Sequence, residues 1–302
     1  MRVPLNHCVG PAGRRSPIAH GRCPVAARRG FTMMEVALCL AIIGFALVAI
    51  IGVLPRGMNS QQETRQATII SEDATMFMEA IRGGARGLDD LTNYVFAITN
   101  YYQTYNAAGR PTMLHPLKAG YTFSGANIGG ASKPGLAITN GLRIIGLMST
   151  PEFTLYPPDT KLAQIPVNHR WLTAYTSNRV YAYVRSISGG AADKPPQNND
   201  ILRGSSFSYR VLCVNAPPPG APGVLADQNA VYDQQLEGNL RELRLLFSWP
   251  LLPNFDVGNY KQNFRADVSG ALVITNDVSK DNSGMWLYFC QPQSFTNSPY
   301  TP

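Results

Sequence analysis

Arg28-Arg29-Gly30-Phe31-Thr32-Met33-Met34-Glu35 leads directly into an uncharged apolar run, Val36 to Leu54, and this junction decides how the chain is organised. The run is nineteen residues long, close to the ~20 that a helix needs to cross a hydrocarbon core of roughly 30 Å. It reads first as a membrane segment. A conventional secretory signal has an apolar core of about 7–15 residues that ends at a small-x-small site. Here the run closes with Gly52-Val53-Leu54-Pro55-Arg56, so retention as an anchor is favoured over removal of the whole segment.

Two residues at the junction carry chemistry. Gly30 has no side chain, so a protease can approach the backbone closely there; the alternative is an ordinary turn before a helix. Glu35 is an ionisable group beside a lipid-facing run, which costs on the order of 2–3 kcal/mol unless it is paired or reaches the interface. Cleavage after Gly30 would create a partner, the new α-amino group of Phe31, which with a reference pKa of about 8 is largely protonated at neutral pH. The alternative is a Glu35 hydrated at headgroup level.

In order and spacing, the arginines, Gly30, Phe31 and Glu35 resemble the class III signal of type IV prepilins and type II secretion pseudopilins. The resemblance implies a membrane prepilin peptidase that cuts after Gly30 and methylates Phe31. It also implies that Glu35, fifth in the mature chain, pairs with the amino terminus of a neighbouring pilin-like subunit. The implied fold is α+β and lollipop-like, a long N-terminal helix with a membrane half and an amphipathic half, packed on a mostly antiparallel β head. Gly52-Val53-Leu54-Pro55-Arg56-Gly57-Met58-Asn59 and Ile145-Gly146-Leu147-Met148-Ser149-Thr150-Pro151 further resemble the B-type pilin-like proteins of Verru_Chthon cassettes, a group that brings no biochemical activity with it.

Upstream of the junction, residues 1–30 hold six arginines and no acid. Taking those six from the 26 basic residues leaves 20 against 19 acidic ones, so the net charge of +7 belongs almost wholly to the leader and the remainder is nearly neutral. A basic leader fits retention on the cytoplasmic side of a bacterial inner membrane, with the rest periplasmic or extracellular. Nucleic acid as a partner loses its compositional support. Cys8, Cys23, His7 and His20 lie in this leader but match no standard zinc spacing, and the segment, which lacks periodicity, is read as disordered and removable.

Downstream, Ala37, Ala41, Gly44, Ala49 and Gly52 place small residues along the apolar helix, where they permit close helix packing in lipid. Pro55 removes one backbone hydrogen bond and predicts a kink or a short melted segment. Ala67, Ile70, Ala74, Phe77, Met78 and Ile81 then recur at spacings of three and four with polar residues between them, which predicts an amphipathic helix over Ser60–Arg82. From Phe31 to Arg82 such a helix is about 75 Å long, and Gly83-Gly84 stops it. The organisation is a leader over 1–30, a membrane and assembly helix over 31–54, an amphipathic helix over 55–86 and a β-rich exported head over 87–302.

In that head, short apolar runs and period-two alternation predict strands at Tyr94–Thr99, Gly141–Met148, Val180–Ser186, Ser206–Val214, Leu240–Phe247, Ala271–Ile274 and Met285–Cys290. Gly189–Asn199 and Ala216–Gly223 read as surface loops. The head is longer than that of a major pseudopilin and so resembles a minor or specialised subunit. Cys213 and Cys290 are the only cysteines in it. They either form a disulfide across a loop of roughly eighty residues, contributing about 4–5 kcal/mol, or remain two buried thiols in separate strands.

No nucleophile elbow, zinc-protease motif, phosphate loop or Cys-x-x-Cys pair occurs, and His115 and His169 stand isolated; no enzyme and no cofactor is expected. Asp277, Asp281 and Asn282 cluster oxygen ligands in one turn, a calcium candidate, but Lys280 and the missing EF-hand spacing favour a solvated turn. Two function classes remain: a structural subunit assembled through its helix, and a membrane-anchored binding or adhesive domain that never assembles.

Overall fold

The computed structural model describes residues 30–84, 88–106, 108–124, 133–134, 137–155, 175–188, 207–218, 236, 238–278 and 284–295. The leader ahead of Gly30, His169, the Gly189–Asn199 loop, most of the Ala216–Gly223 loop, Asp281 and Asn282 lie outside the described residues. The chain divides into two compact units, Met1–Ser60 and Gln61–Pro302.

Helix α1, Met33–Gly83, contains 51 residues and includes Pro55 without interruption. The melted segment expected at that proline is not formed. A mid-helix proline removes one amide donor, and the turns on both sides keep their own bonds. Gly84, at φ 70°, ends the helix in the left-handed conformation that glycine adopts without a Cβ penalty.

In the first unit, the apolar residues of α1 are exposed all round. In the second, Ile70, Ala74, Phe77, Met78 and Ile81 are buried as the spacing predicts, and Asp73 is buried among them.

The rest of the second unit is mainly sheet. In chain order it comprises α2 (Leu91–Tyr94), β1 (Val95–Tyr105), β2 (Leu117–Thr122), β3 (Lys133–Pro134), α3 (Gly141–Met148), β4 (Phe153–Leu155) and β5 (Tyr175–Arg185). There follow β6 (Ser208–Ala216), β7 (Leu240–Leu251), β8 (Val257–Ser269), β9 (Ala271–Val278) and β10 (Gly284–Gln291). Strands β3-β2-β1-β5-β6-β7-β8 form one sheet in that order, with β4 also paired to β5, while β9 and β10 form a separate hairpin. Apart from the parallel β2–β3 pair, these ladders are antiparallel. The architecture is α+β.

One face of the large sheet is buried. Alternation along β6 sends Tyr209, Val211 and Cys213 to that face, where they join Val180 and Ala182 of β5 and Leu243, Leu245 and Phe247 of β7. Phe77 and Ile81 of α1, Ile144, Ile145 and Met148 of α3, and Leu287 of β10 complete the same core. The opposite face carries the intervening residues of these strands and is described below.

Gly141–Met148, expected as a strand, is helical. Asn140 caps it, with its side-chain oxygen accepting from the Arg143 amide at 2.8 Å. Gly141 lies so close beneath the chain at Leu88 that a Cβ would come within 2.2 Å of the Leu88 carbonyl oxygen. The other six expected strands are present, several of them longer than expected. Strands β2, β3, β4 and β8 were not expected.

Candidate functional site

The Gly30–Phe31 bond lies in non-helical chain ahead of the first helical residue, Met33, and Phe31 is 87% exposed. Thr32 and Glu35 close the start of the helix on each other. The Glu35 carboxylate accepts from the Thr32 amide at 3.0 Å and from its hydroxyl at 3.1 Å, both through Oε2, while the Glu35 amide donates to Thr32 Oγ1 at 3.3 Å. This is a capping box, Thr at the cap and Glu three residues on, in which each side chain satisfies a backbone donor that the first turn leaves unpaired. A carboxylate there also lies favourably at the positive end of the helix dipole. The pattern Thr-x-x-Glu was legible in the sequence but was read only for its charge.

Glu35 remains exposed, and among the described residues Oε1 makes no hydrogen bond and no cation lies within ion-pair distance. One oxygen is satisfied by Thr32. Beyond it, α1 is the one helix among the described residues long and apolar enough to cross a membrane, and none of its apolar window is buried. Such a surface is unsuited to water.

The other sequence candidates separate. Asp277, on β9, is held by the Arg143 guanidinium of α3, Nε to Oδ2 at 2.7 Å. That ion pair holds the carboxylate of Asp277, while Asp281 and Asn282 of the calcium candidate lie outside the described residues. His115 is exposed. Cys213 of β6 and Cys290 of β10 are both buried free thiols, so the bridge weighed from the sequence is not formed and the two buried thiols stand. Burial drives the Cys290 thiol up to about 11 and the Cys213 thiol further still. A thiol reagent is therefore expected to label both cysteines only after denaturation; labelling of either in the native protein, or its failure to label under non-reducing denaturation, would contradict this.

Sequence reasoning missed Asp73 entirely. It lies on α1 beside Glu72, where a carboxylate reads as solvent-facing, yet it is 1% exposed. Its Oδ1 accepts from the Ser188 amide at 2.8 Å and the Ser188 hydroxyl at 2.6 Å, and its Oδ2 from the Ile187 amide at 3.0 Å and the Tyr209 hydroxyl at 2.7 Å. Four donors hold one buried charge. Asp73 thus pins the amphipathic part of α1 to the chain just past the end of β5 and to the start of β6.

No family model, curated protein or solved structure matches this chain. A functional reading therefore rests on the residues themselves.

Proposed function

We propose that the chain is a structural, pilin-like subunit, inserted in a bacterial inner membrane through α1, processed after Gly30 by a prepilin peptidase, and assembled through that helix into a filament or secretion pseudopilus. The observation that carries this reading is the combination at the start of α1: an exposed, non-helical Gly30–Phe31 bond, a capped Glu35 with no ion-pair partner among the described residues, and an exposed apolar helix behind it. The capping box uses the Thr32 amide and hydroxyl, both of which survive cleavage between Gly30 and Phe31. Processing leaves the helix start intact and adds one cation beside it. A filament of such helices buries the apolar surface against other copies or related subunits, and pairing of Glu35 with a neighbour's amine sets their register.

N-terminal sequencing of protein from membranes that contain the peptidase is expected to begin at Phe31, and Glu35→Ala is expected to abolish incorporation into filaments while leaving membrane insertion unchanged. Intact protein that keeps its arginine-rich leader and is indifferent to Glu35→Ala would overturn the proposal.

One observation favours the second reading, an anchored binding domain that never assembles: the capping box already satisfies one Glu35 oxygen within its own chain. Under that reading Glu35→Ala lowers only helix stability, by about 1 kcal/mol, and changes no association.

A further inference from the structure

The face of the large sheet opposite the hydrophobic core carries a cavity of about 400 Å³ lined by Tyr101, Tyr105, Tyr181, Arg179 and Arg210 among others. That volume falls within the roughly 300–1,000 Å³ usual for ligand clefts. Cross-strand register builds the site. Tyr101 of β1 lies opposite both Lys118 of β2 and Arg179 of β5, and Arg210 of β6 lies opposite Tyr183 of β5.

Aromatic rings hold two of the cations on this face. The Arg210 guanidinium lies 4.9 Å from the centre of the Tyr181 ring, and the Lys118 ammonium 5.6 Å from that of Tyr101. Tyr101 and Tyr181 meet edge to face at 5.7 Å. Cation–π contact holds a cation in place but leaves its formal charge for an incoming anion. No carboxylate lines the cavity among the described residues, and neither Arg179 nor Arg210 has a hydrogen bond or ion pair. By contrast Arg82, Arg143, Arg244 and Arg265 each hold an acid.

The register sets Arg210 four residues of strand along from Arg179, about 13 Å at ~3.3 Å per residue, and its guanidinium leans back over Tyr181, two residues from Arg179. Two cations set apart in this way suit a ligand with acidic groups repeated along its length rather than one small anion. Tyr181 stands between the cations, Tyr101 directly across from Arg179 and Tyr105 beyond it, and among the described residues their hydroxyls make no hydrogen bond. One face of each ring is already taken, by Lys118, by Tyr175 stacked 4.9 Å from Tyr105, and by Arg210. Nucleic-acid platforms stack bases on open aromatic faces; here each ring has at most one face left, and the hydroxyls at its edge suit sugar hydroxyls. The near-neutral remainder of the chain also lacks the general positive field of a nucleic-acid binder.

We propose that this cavity binds an acidic oligosaccharide, its carboxylates on Arg179 and Arg210 and its hydroxyls on the tyrosines that line the cavity with them. The site is independent of assembly through α1. Calorimetric titration of full-length protein in detergent micelles with a short oligogalacturonate tests it, using the methyl-esterified oligomer and a single-stranded oligonucleotide as competing probes. The oligogalacturonate is expected to bind, with methyl esterification, Arg179→Gln and Arg210→Gln each weakening it by about tenfold or more, as for a lost hydrogen bond to charge. Arg82→Gln, away from the cavity, is expected to leave binding unchanged. Arg179 is exposed and holds nothing in place, so its variant folds even if that of Arg210 does not. Equal binding of the ester, tighter binding of the oligonucleotide, indifference to Arg179→Gln, or no binding of the acid would each overturn the proposal.

Discussion

Asp73→Ala is expected to destabilise the β-rich unit by about 3–5 kcal/mol, the range found when one partner of a buried polar network is removed. The substitution takes away no large apolar surface. It leaves the Ile187 and Ser188 amides and the Tyr209 hydroxyl, all now bonded to the carboxylate, without acceptors in the interior. Each such orphan costs about 1–3 kcal/mol, offset in part because the buried charge goes with them. For a unit of this size the loss lowers the melting temperature by roughly 10 °C. Tyr209→Phe removes only one of the four bonds and should cost about 1–2 kcal/mol. The double variant should cost less than the two losses added, because both act through Oδ2. Thermal melts of the three variants decide the matter: an Asp73→Ala loss under about 1 kcal/mol, the scale of an ordinary surface change, would show that the network contributes nothing.

That network marks where sequence reasoning stops. The buried positions of the amphipathic helix could be read from the spacing of Ile70, Ala74, Phe77 and Ile81, since a helix that covers a sheet must present such a stripe. Asp73 could not, because its donors come from residues more than a hundred positions away. β6 was legible because its burial alternates along nearly its whole length. β8 was not: Asn259, Lys261, Asn263, Arg265 and Asp267 are poor strand formers, and the strand exists by pairing with β7 at the sheet's charged edge. Gly141–Met148 failed for a different reason. A short apolar run has no period that separates a buried strand from a buried helix, and the Asn140 cap and the tight approach of Gly141 to Leu88 are what settle it. The cations and tyrosines of the face opposite the core read as ordinary strand residues until register placed them together.

Alkaline conditions should unfold the β-rich unit near about pH 11, because burial holds its thiols and phenols in their neutral form, Tyr121, raised to about 12, beside the four that follow. Burial pushes the Tyr288 phenol up to about 12 and the Cys290 thiol to about 11. Cys213 is raised by burial alone, and Tyr209 stands well above its ordinary 10.0 through burial first and the Asp73 charge second. Every one of these shifts is upward from the ordinary 9.0 of a thiol or 10.0 of a phenol. The folded state therefore keeps protons that the unfolded chain releases, and stability is whole below about pH 9 and falls as pH rises through these values. Each group contributes about 1.4 kcal/mol per pH unit past its unfolded pKa. At about pH 11 the four together withdraw on the order of 7 kcal/mol, comparable with the roughly 5–15 kcal/mol that holds a domain folded. Tyrosinate absorbance and loss of circular dichroism should rise in one cooperative transition. Replacing Cys213 and Cys290 by alanine removes two of these protons, so the fall of stability with pH should become shallower by about half near pH 10, where both thiols but only about half of each phenol have ionised in the unfolded chain. That slope is independent of any cavity the substitutions leave. An unchanged slope, or phenols that titrate near 10 with the fold intact, would mean that these groups are not held neutral by the core.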